Sequence, residues 1–421
     1  MILINFLHIG IDDTDSPEGM CTTYLASYII KKLKENNINI IENPHLIRLN
    51  PFARFKTRGN GAVSFKIKND DKVEKAKKIV LDEVEKLSMF ECENTNPGVV
   101  FYSGEITKEM TDYSFKAISS IITIKEAEEF ANKIGAEIHK FKKGRGIIGS
   151  LAAISFPFED YTYELLTYRK PENYGKNRLI NKESVIKMDK NTFPDTFENF
   201  DKEEDYIAIA PKTPCPILYG IRSNNIESLL KAKDIVKVDE GIESHCIFKT
   251  NQHTDVHIKQ INKISDMEQF SCYKVKGEVK NNPKIIEGGH MFFYIFDESG
   301  EIECGAYEPT KDFRKIVSKL IPGDIIEVYG GIGSQNTFNI EKFKTIKLNY
   351  FDYKNPICIC GKTMTSAGKD KGFKCKKCGN KTKSNEKIPV KIERELIEGK
   401  FYETPISARR HLAKPLCRMN L

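Results

Sequence analysis

Residues 9–25 constrain the fold more than any other part of this chain, because three carboxylates separate two apolar patterns there. The run 6–11 predicts a buried strand, and apolar residues four apart after the turn predict a helix. The acidic residues between them are Asp12, Asp13 and Asp15. We therefore predict a strand, an acidic loop and a helix. In open α/β sheets, ligands bind where strands end in this way.

The acidic loop has the composition of a magnesium site beside a phosphate site. Three neighbouring carboxylates repel one another unless a cation neutralises them, and Mg²⁺ is usually held by one or two carboxylates together with phosphates. Thr22 and Thr23 then open the helix, whose N-terminus favours an anion. An acidic surface turn that only caps the helix is the alternative. Gly10, Gly19 and the two hydroxyls favour the ligand site.

A second loop combines cations with glycines ahead of an alternating strand at 62–68. Such a loop can approach phosphates closely and offer them charge partners. The residues that we expect to do so are Lys56, Arg58, Gly59, Asn60 and Gly61. A simple turn before a strand is the alternative interpretation. Beside an acidic metal loop, the pattern indicates a clamp for nucleotide phosphates.

The middle of the chain gives weaker signals. A basic glycine turn at 142–146 precedes a small apolar helix and fits either close packing or anion binding. Residues 181–205 are acidic and lack periodicity, which predicts an excursion on the surface. Arg222 can pair with a phosphate or with an internal carboxylate. The polar residues 250–257 predict a contact loop at a domain junction.

From residue 273 the pattern becomes all-β. Alternating segments predict strands at 273–279, 291–296, 301–307, 325–329 and 337–344, with a helix at 311–320 after the third strand. Three strands, a helix and two strands are the order of an OB-fold. Barrels of this type commonly bind single-stranded nucleic acid.

Four cysteines near the end of the sequence have the spacing of a zinc ribbon. They are Cys358, Cys360, Cys375 and Cys378, with 14 residues between the two pairs. Four thiolates satisfy tetrahedral Zn²⁺, and the small module would otherwise lack a core. The first pair is Cys-x-Cys where a ribbon usually has Cys-x-x-Cys, which affects the geometry of that knuckle and not the choice of metal.

The composition indicates a folded protein without a membrane span. The 421 residues suffice for two to four domains, and 40% are hydrophobic while 30% are charged. No apolar run approaches the ~18 residues that cross a membrane. Eleven cysteines, scattered apart from the quartet, indicate reduced thiols, and the N-terminus lacks signal-peptide features, so we expect a cytoplasmic location.

Positive charge is concentrated in the tail. Residues 351–421 carry 17 Lys and Arg against 7 Asp and Glu, whereas the whole chain has a net charge of only +7. A cationic module on a near-neutral body indicates a polyanionic partner, most simply nucleic acid. A lysine-rich surface that only aids solubility is the alternative. Together, these features predict an ATP-using enzyme that acts on RNA. A metal-dependent RNA nuclease and a non-catalytic tRNA- or single-strand-binding protein remain open.

The same motifs resemble those of the archaeal tRNA(Ile2) 2-agmatinylcytidine synthetases, the TiaS family. The resemblance covers essentially the whole chain and is carried by GIDDTDSPEGMCTTYL at 10–25, LIRLNP at 46–51, KTRGNGA at 56–62, RGIIG at 145–149, GIR at 220–222, TNQ at 250–252 with Thr254, Asp255 and His257, and the cysteine quartet.

The resemblance implies a multidomain α+β chain. We expect an ATP- and magnesium-binding, kinase-like α/β module at 1–110, a ferredoxin-like domain at 111–265 that can interleave with it, an OB-fold β-barrel at 268–350, and a zinc ribbon with a basic C-terminal arm at 351–421. Asp12, Asp13 and Asp15 would bind Mg²⁺ and orient ATP, while residues 56–61 would hold its phosphates. Thr22 matches the threonine that becomes phosphorylated in the family.

The resemblance also implies an activity. The family joins agmatine to C2 of the wobble cytidine of tRNA(Ile2), which has a CAU anticodon, so that it decodes AUA. The reaction passes through a phosphorylated cytidine and converts ATP to AMP and two phosphates. The implied cofactors are ATP, Mg²⁺ and Zn²⁺, and the implied partners are the tRNA and agmatine, with no membrane and no protein partner evident.

Overall fold

The computed structural model describes residues 6–56 and 59–419, and one large mixed sheet forms the first part of it. The strands in this part are β1 (Phe6–Asp12), β2 (His45–Arg48), β3 (Gly61–Lys68), β4 (Gly98–Ser103), β5 (Glu137–Lys140), β6 (Thr162–Arg169), β7 (Thr196–Phe197), β8 (Phe200–Asp201), β9 (Tyr206–Ile207), β10 (Ile217–Ser223) and β11 (Ile242–Thr250). The sheet has the order β5-β4-β1-β3-β2-β11-β6-β10-β7, and β8 pairs with β9 beside it.

Helices cover both faces of this sheet. They are α1 (Thr22–Glu35), α2 (Val73–Leu87), α3 (Lys108–Ser119), α4 (Ile124–Ile134), α5 (Ile147–Ser155), α6 (Lys182–Thr192) and α7 (Ile226–Ile235). The apolar residues that predicted α1, Leu25, Ile29 and Leu33, are fully buried against β1. The predicted strand, acidic loop and helix are therefore confirmed.

The N-terminal strands and the following segment share one core. Helix α5 packs so closely on β1 that a Cβ on Gly10 would lie 2.4 Å from the carbonyl oxygen of Ser150. A Cβ on Gly98 would lie 2.0 Å from the amide nitrogen of Ile147. Strands β2 and β11 pair in parallel and join the two parts of the sheet. The predicted boundary near residue 110 therefore falls within a continuous sheet, and the domain limits stay a prediction.

The prediction of a surface excursion at 181–205 is wrong. The segment forms α6 and the short strands β7 and β8, and Val185, Met188 and Phe197 are almost fully buried. Its few apolar residues are divided between a helix and two-residue strands and are separated by charged residues. Neither the 3.6-residue nor the two-residue period can develop over such short stretches.

The predicted OB-fold is confirmed as a closed barrel. Its strands are β13 (Cys272–Val279), β15 (Met291–Phe296), β16 (Glu301–Ala306), β17 (Ile325–Ile332) and β18 (Phe338–Lys347), with α8 (Asp312–Val317) before β17. Two-residue strands β12 (Lys259–Gln260) and β14 (Lys284–Ile285) flank them. Pairing of Glu278 with Phe296 joins β13 to β15 and closes the barrel.

The zinc-ribbon segment is inserted between two paired strands of the barrel. After β18 come β19 (Phe351–Lys354), β20 (Thr365–Ser366), β21 (Phe373–Lys374), β22 (Lys381–Thr382), β23 (Ile388–Lys391) and β24 (Phe401–Glu403). Strand β19 pairs with β23, and β24 returns to pair with β18. The residues after β24, expected as a basic arm, pack against the sheet and barrel, with Leu412 and Ala413 buried. Within the described residues, no helix is long and apolar enough to cross a membrane.

Candidate active site

A cleft of about 1160 Å³ lies between the large sheet and the C-terminal segment, and Phe270, just before the first barrel strand, also lines it. The acidic loop, the start of α1, the glycine loop and the start of α5 contribute to its walls. So do β6, β10 and residues 406–412. The two loops that the sequence singled out therefore face one cavity, and so does part of the C-terminal segment.

The acidic loop is held by an arginine from far along the chain. Asp12 ends β1, and Asp13 follows with a left-handed backbone at φ 60°. The Nη2 atom of Arg145 donates to Oδ2 of Asp13 at 3.0 Å. Burial and the charge of Asp13 raise the pKa of Asp12 well above its ordinary value. Burial raises the pKa of Asp13 to about 7, although Arg145 opposes the shift.

The three aspartates do not converge on one point. Among the described residues, the cysteine quartet is the one group of three or more possible ligands whose atoms lie close enough to share an ion. Mg²⁺ commonly takes only one or two carboxylates and completes its sphere with phosphate and water oxygens. Burial disfavours the charged forms of Asp12 and Asp13 and raises their pKa values, and the nearby charge of Arg145 offsets this only in part. One or two of them therefore suit a cation that arrives with a nucleotide.

Thr22 lines the cleft and is not the helix cap. It is the first residue of α1, whose N-cap is Cys21. The hydroxyl of Thr22 accepts a hydrogen bond from the hydroxyl of Thr14 at 3.1 Å. Its backbone lies in the first turn, where amide groups have no partner within the helix. A hydroxyl in this place can receive a phosphoryl group whose charge the helix end stabilises.

The glycine loop makes room for an arginine. A Cβ on Gly59 would lie 2.6 Å from Nη1 of Arg48, and one on Gly61 would lie 3.1 Å from the same atom. Asn60 adopts a positive φ of 48° and donates to the carbonyl of Asn50 at 2.8 Å. The cleft is lined by Gly59, Asn60 and Gly61 and also by Lys56. The ammonium of Lys56 donates to the Pro51 carbonyl. Arg58, the remaining predicted phosphate ligand, lies outside the described residues.

A buried charge cluster that the sequence did not predict lies on the cleft floor. Glu164 of β6 lies 3.2 Å from Nε of Arg222 and 3.8 Å from Nη2 of Arg48. Gln252 donates to the same carboxylate at 2.5 Å. Arg222 therefore pairs with an internal carboxylate. Nothing in the sequence identified Glu164, because it is a single acidic residue within β6 and belongs to no recognisable motif.

The loop 250–257 is a junction, as predicted. Asn251 accepts the amide of Arg48 at 2.8 Å and so contacts the N-terminal part. The backbone amide of His253 donates to the carbonyl of His411 at 2.8 Å, which fixes the C-terminal segment. Nε2 of His257 lies 3.1 Å from Oε2 of Glu341 in the barrel. One loop thus contacts each of the parts that surround the cleft.

The cysteine quartet has the geometry that a zinc ion requires. The Sγ atoms of Cys358 and Cys378 are 3.4 Å apart, and those of Cys360 and Cys375 are 3.5 Å apart. Tetrahedral zinc with Zn–S bonds near 2.3 Å places its sulfurs about 3.8 Å apart. All four sulfurs lie within 4.8 Å of one another. The Cys-x-Cys knuckle therefore brings both of its thiols to the site.

Profiles of known families match most of the chain. The matches are to the TiaS TCKD domain at 8–72, the TiaS FLD domain at 144–257, an OB-fold nucleic acid binding domain at 273–346 and the TiaS C-terminal zinc ribbon domain at 355–396. They agree with the observed sheet, barrel and cysteine cluster. The predicted multidomain α+β fold class, with an OB-fold and a zinc ribbon, is confirmed.

Whole proteins give the same result. The tRNA(Ile2) 2-agmatinylcytidine synthetase TiaS of Methanocaldococcus jannaschii is 48% identical, over 99% of this chain and 99% of that protein. A crystal structure of a TiaS-tRNA(Ile2)-ATP complex is 43% identical, with a TM-score of 0.87 over 99% of this chain and 98% of that one. A TiaS-tRNA(Ile2)-AMPCPP-agmatine complex is 41% identical, with a TM-score of 0.86 over the same shares. This chain therefore belongs to the TiaS family of tRNA(Ile2) 2-agmatinylcytidine synthetases.

Proposed function

We propose that this chain uses ATP to join agmatine to C2 of the wobble cytidine in tRNA(Ile2), so that the CAU anticodon decodes AUA. One observation carries the proposal. A chain that is 48% identical to a TiaS protein over its whole length folds so that carboxylates, a hydroxyl and several cations face one cleft. Relatives have been crystallised with this tRNA, with ATP and with agmatine.

The proposed chemistry exchanges a poor leaving group for a good one. The oxygen on C2 of cytidine leaves poorly, whereas a phosphorylated oxygen leaves as phosphate. The terminal phosphoryl group of ATP is therefore transferred to that oxygen. The primary amine of agmatine then attacks C2 and loses a proton, and the C–O bond to phosphate breaks. The transfer leaves ADP, whose terminal phosphoryl group passes to the hydroxyl of Thr22 and is later released as phosphate by water. ATP is thereby converted to AMP and two phosphates in the proposal.

Specific residues serve this reaction in the proposal. Thr22 accepts a phosphoryl group from ATP, because its hydroxyl lies in the cleft at the start of α1. Lys56 and the backbone of residues 59–61 hold phosphates. Asp12 and Asp13, with Asp15 nearby, bind Mg²⁺, which supplies positive charge to the phosphates when it is bound. Cys358, Cys360, Cys375 and Cys378 hold a structural Zn²⁺. We expect the enzyme to act in the cytoplasm, where its substrates occur.

Labelled agmatine tests this function directly. Incubation of the protein with ATP, Mg²⁺, labelled agmatine and a tRNA(Ile2) transcript should transfer label to the RNA. Transfer should fail without ATP and with a transcript whose wobble cytidine is replaced by uridine. The two alternatives predict other results. A nuclease would shorten the transcript without needing ATP, and a binding protein would retain it without incorporating label.

A further inference from the structure

The C-terminal segment 401–418 is attached to the barrel, to the junction loop 250–257 and to the chain just before β6. Strand β24 pairs with β18 of the barrel, with Glu403 opposite Lys342. The carbonyl oxygens of His411 and Leu412 then accept the amides of His253 and Asp255 in the junction loop. Farther on, the ammonium of Lys414 donates to Asp160 at 2.8 Å. The segment is therefore a fixed wall of the cleft.

Two adjacent arginines in this wall have different surroundings. Arg409 is 6% exposed and is fully engaged, because it lies 2.5 Å from Glu198 and 2.8 Å from Glu403 and also donates to the Thr404 carbonyl. Arg410 is 32% exposed. Its nearest charge partner is Oε1 of Glu341, 3.4 Å from Nε, and no hydrogen bond joins its guanidinium to any described residue.

Arg410 is nevertheless held in a defined orientation. Its guanidinium carbon lies 4.0 Å from the ring centroid of Phe52, so the planar group stacks on an aromatic face. Phe52 is itself fixed, since its ring occupies the space where a Cβ on Gly331 of β17 would stand, at 2.1 Å. Stacking leaves the outer N–H groups of a guanidinium available, and their fork matches a phosphate.

The position of Arg410 indicates whether it binds a phosphate of the RNA or one of ATP. Phe52, Gly331 and Glu341 put it on the barrel side of the cleft, and OB barrels are surfaces for single-stranded nucleic acid. The acidic loop and Thr22, which we assign to ATP, belong instead to β1 and α1 of the large sheet. Lys56, also assigned to the ATP phosphates, is near enough to Arg410 for that charge to lower its pKa, so Arg410 stands at the border of the two sites. An arginine that lies between an RNA-binding barrel and the reaction site is suited to the RNA backbone.

We propose that the C-terminal segment supplies Arg410 as a binding site for a backbone phosphate of the RNA next to the target nucleotide, with Arg409 holding the segment in place. This inference rests on the proposed function. Its distinctive consequence is that a residue beyond the zinc ribbon acts within the cleft. Loss of one phosphate contact should weaken RNA binding about ten- to a hundredfold, because hydrogen bonds to charged groups are the stronger ones.

The test compares Arg410→Ala, Arg410→Lys and Phe52→Leu with Lys400→Ala. Lys400 is an exposed lysine in the same tail that does not line the cleft, so its variant removes one charge without touching the site. Arg410→Ala should raise the Kd for tRNA about ten- to a hundredfold. Arg410→Lys and Phe52→Leu should fall between that variant and wild type. ATP affinity should stay within about twofold of wild type.

Salt dependence separates a phosphate contact from a structural effect. The slope of log Kd for tRNA against log salt should become shallower by about 0.7–0.9 in Arg410→Ala. In Lys400→Ala it should equal that of wild type. Unchanged tRNA binding in Arg410→Ala, an unchanged slope, or a loss of ATP affinity instead would overturn the inference. A wild-type protein that forms no product would count against the proposed function itself, since the comparison of tRNA affinities needs no turnover.

Discussion

Arg145 and Asp13, 132 residues apart in the sequence, form an ion pair 3.0 Å long in the lining of the cleft. The same Nη2 atom of Arg145 donates to the carbonyl of Asn94 at 2.6 Å, and its guanidinium lies 5.3 Å from the ring centroid of Phe55. The position of the acidic loop therefore depends on Arg145, which belongs to neither the strand before the loop nor the helix after it. Any substitution in this loop acts on a network and not on a single side chain.

We expect Asp12→Asn and Asp13→Asn to remove ATP consumption while leaving the fold intact. Asp12→Asn removes a charge that burial disfavours, so its thermal midpoint without divalent cations should not fall, whereas Asp13→Asn also removes the charge partner of Arg145 and its midpoint should fall slightly. Loss of a group that stabilises charge at a phosphoryl transfer commonly costs about 10²–10³-fold in rate. Phosphate release and thermal unfolding, each measured with and without Mg²⁺, check this. Wild-type turnover in both variants would contradict the assignment of these carboxylates.

A substitution at Gly149 tests whether the position of the Asp12 carboxylate matters, because it leaves the charge of Asp12 unchanged. A Cβ at Gly149 would lie 2.0 Å from Oδ2 of Asp12, so Gly149→Ala must displace that carboxylate. We expect ATP consumption to fall at least about tenfold, with a loss of unfolding free energy of about 1–3 kcal/mol typical of overpacking. Gly300→Ala is the matched control, because nothing lies within 4 Å of its added Cβ and its backbone needs no positive φ. Equal activity in both variants would contradict the prediction.

The zinc ribbon can be removed without removing the cleft wall. Lys354 and Ile388 are paired in the β19–β23 ladder, so a two-residue turn can replace residues 355–387. The deleted part carries nine lysines against two acidic residues. We expect tRNA binding to weaken strongly and its salt slope to become shallower, whereas ATP affinity stays unchanged. Fluorescence titrations at two salt concentrations check this, and equal tRNA affinity at both would contradict it.

A truncation near Tyr350 removes more of the protein than the internal deletion of residues 355–387 does. It would also remove β24 and residues 406–412, which line the cleft. We expect that truncation to abolish product formation altogether, whereas the internal deletion should retain ATP binding. The contrast between the two chains separates the ribbon from the segment that follows it.

Substitutions of Thr22 distinguish a chemical role of its hydroxyl from a purely structural one. We expect intact-mass measurement after incubation with Mg-ATP to show one added phosphate on the wild type and none on Thr22→Ala. Thr22→Ala should also lose product formation, while Thr22→Ser retains part of it. The hydrogen bond from Thr14 is worth only about 1 kcal/mol, so the fold should survive its loss. An unmodified wild type together with an active Ala variant would contradict the chemical role.

The parts of the site that the sequence predicted are those with a local signature. The acidic loop follows an apolar strand directly, the cysteine pairs have zinc spacing, and the barrel strands alternate over six to ten residues. Each of these patterns lies within a window short enough for periodicity or spacing to be decisive. That is why Asp12, Thr22 and the cysteine quartet could be chosen before the fold was known.

The remaining residues of the cleft depend on contacts between distant parts of the chain. Arg48 and Glu164 come together because β2 and β6 lie on either side of β11 in one sheet, and no sequence window contains both strands. The segment after the zinc ribbon contains Arg409, Arg410 and His411, and its sequence resembles an ordinary basic tail. Arg48 and burial lower the pKa of His411 well below its ordinary value, which shows how far into the cationic cleft the tail returns. Only the fold carries this information.

The most direct test of the whole account is the mass of the wobble nucleoside. Wild-type protein, ATP, Mg²⁺, agmatine and a tRNA(Ile2) transcript with a CAU anticodon are incubated, and the RNA is digested to nucleosides. We predict a cytidine heavier by agmatine less one water, found at the wobble position of an unbroken tRNA, and absent when Asp12→Asn replaces the wild type. An unmodified cytidine in the complete mixture would contradict the account.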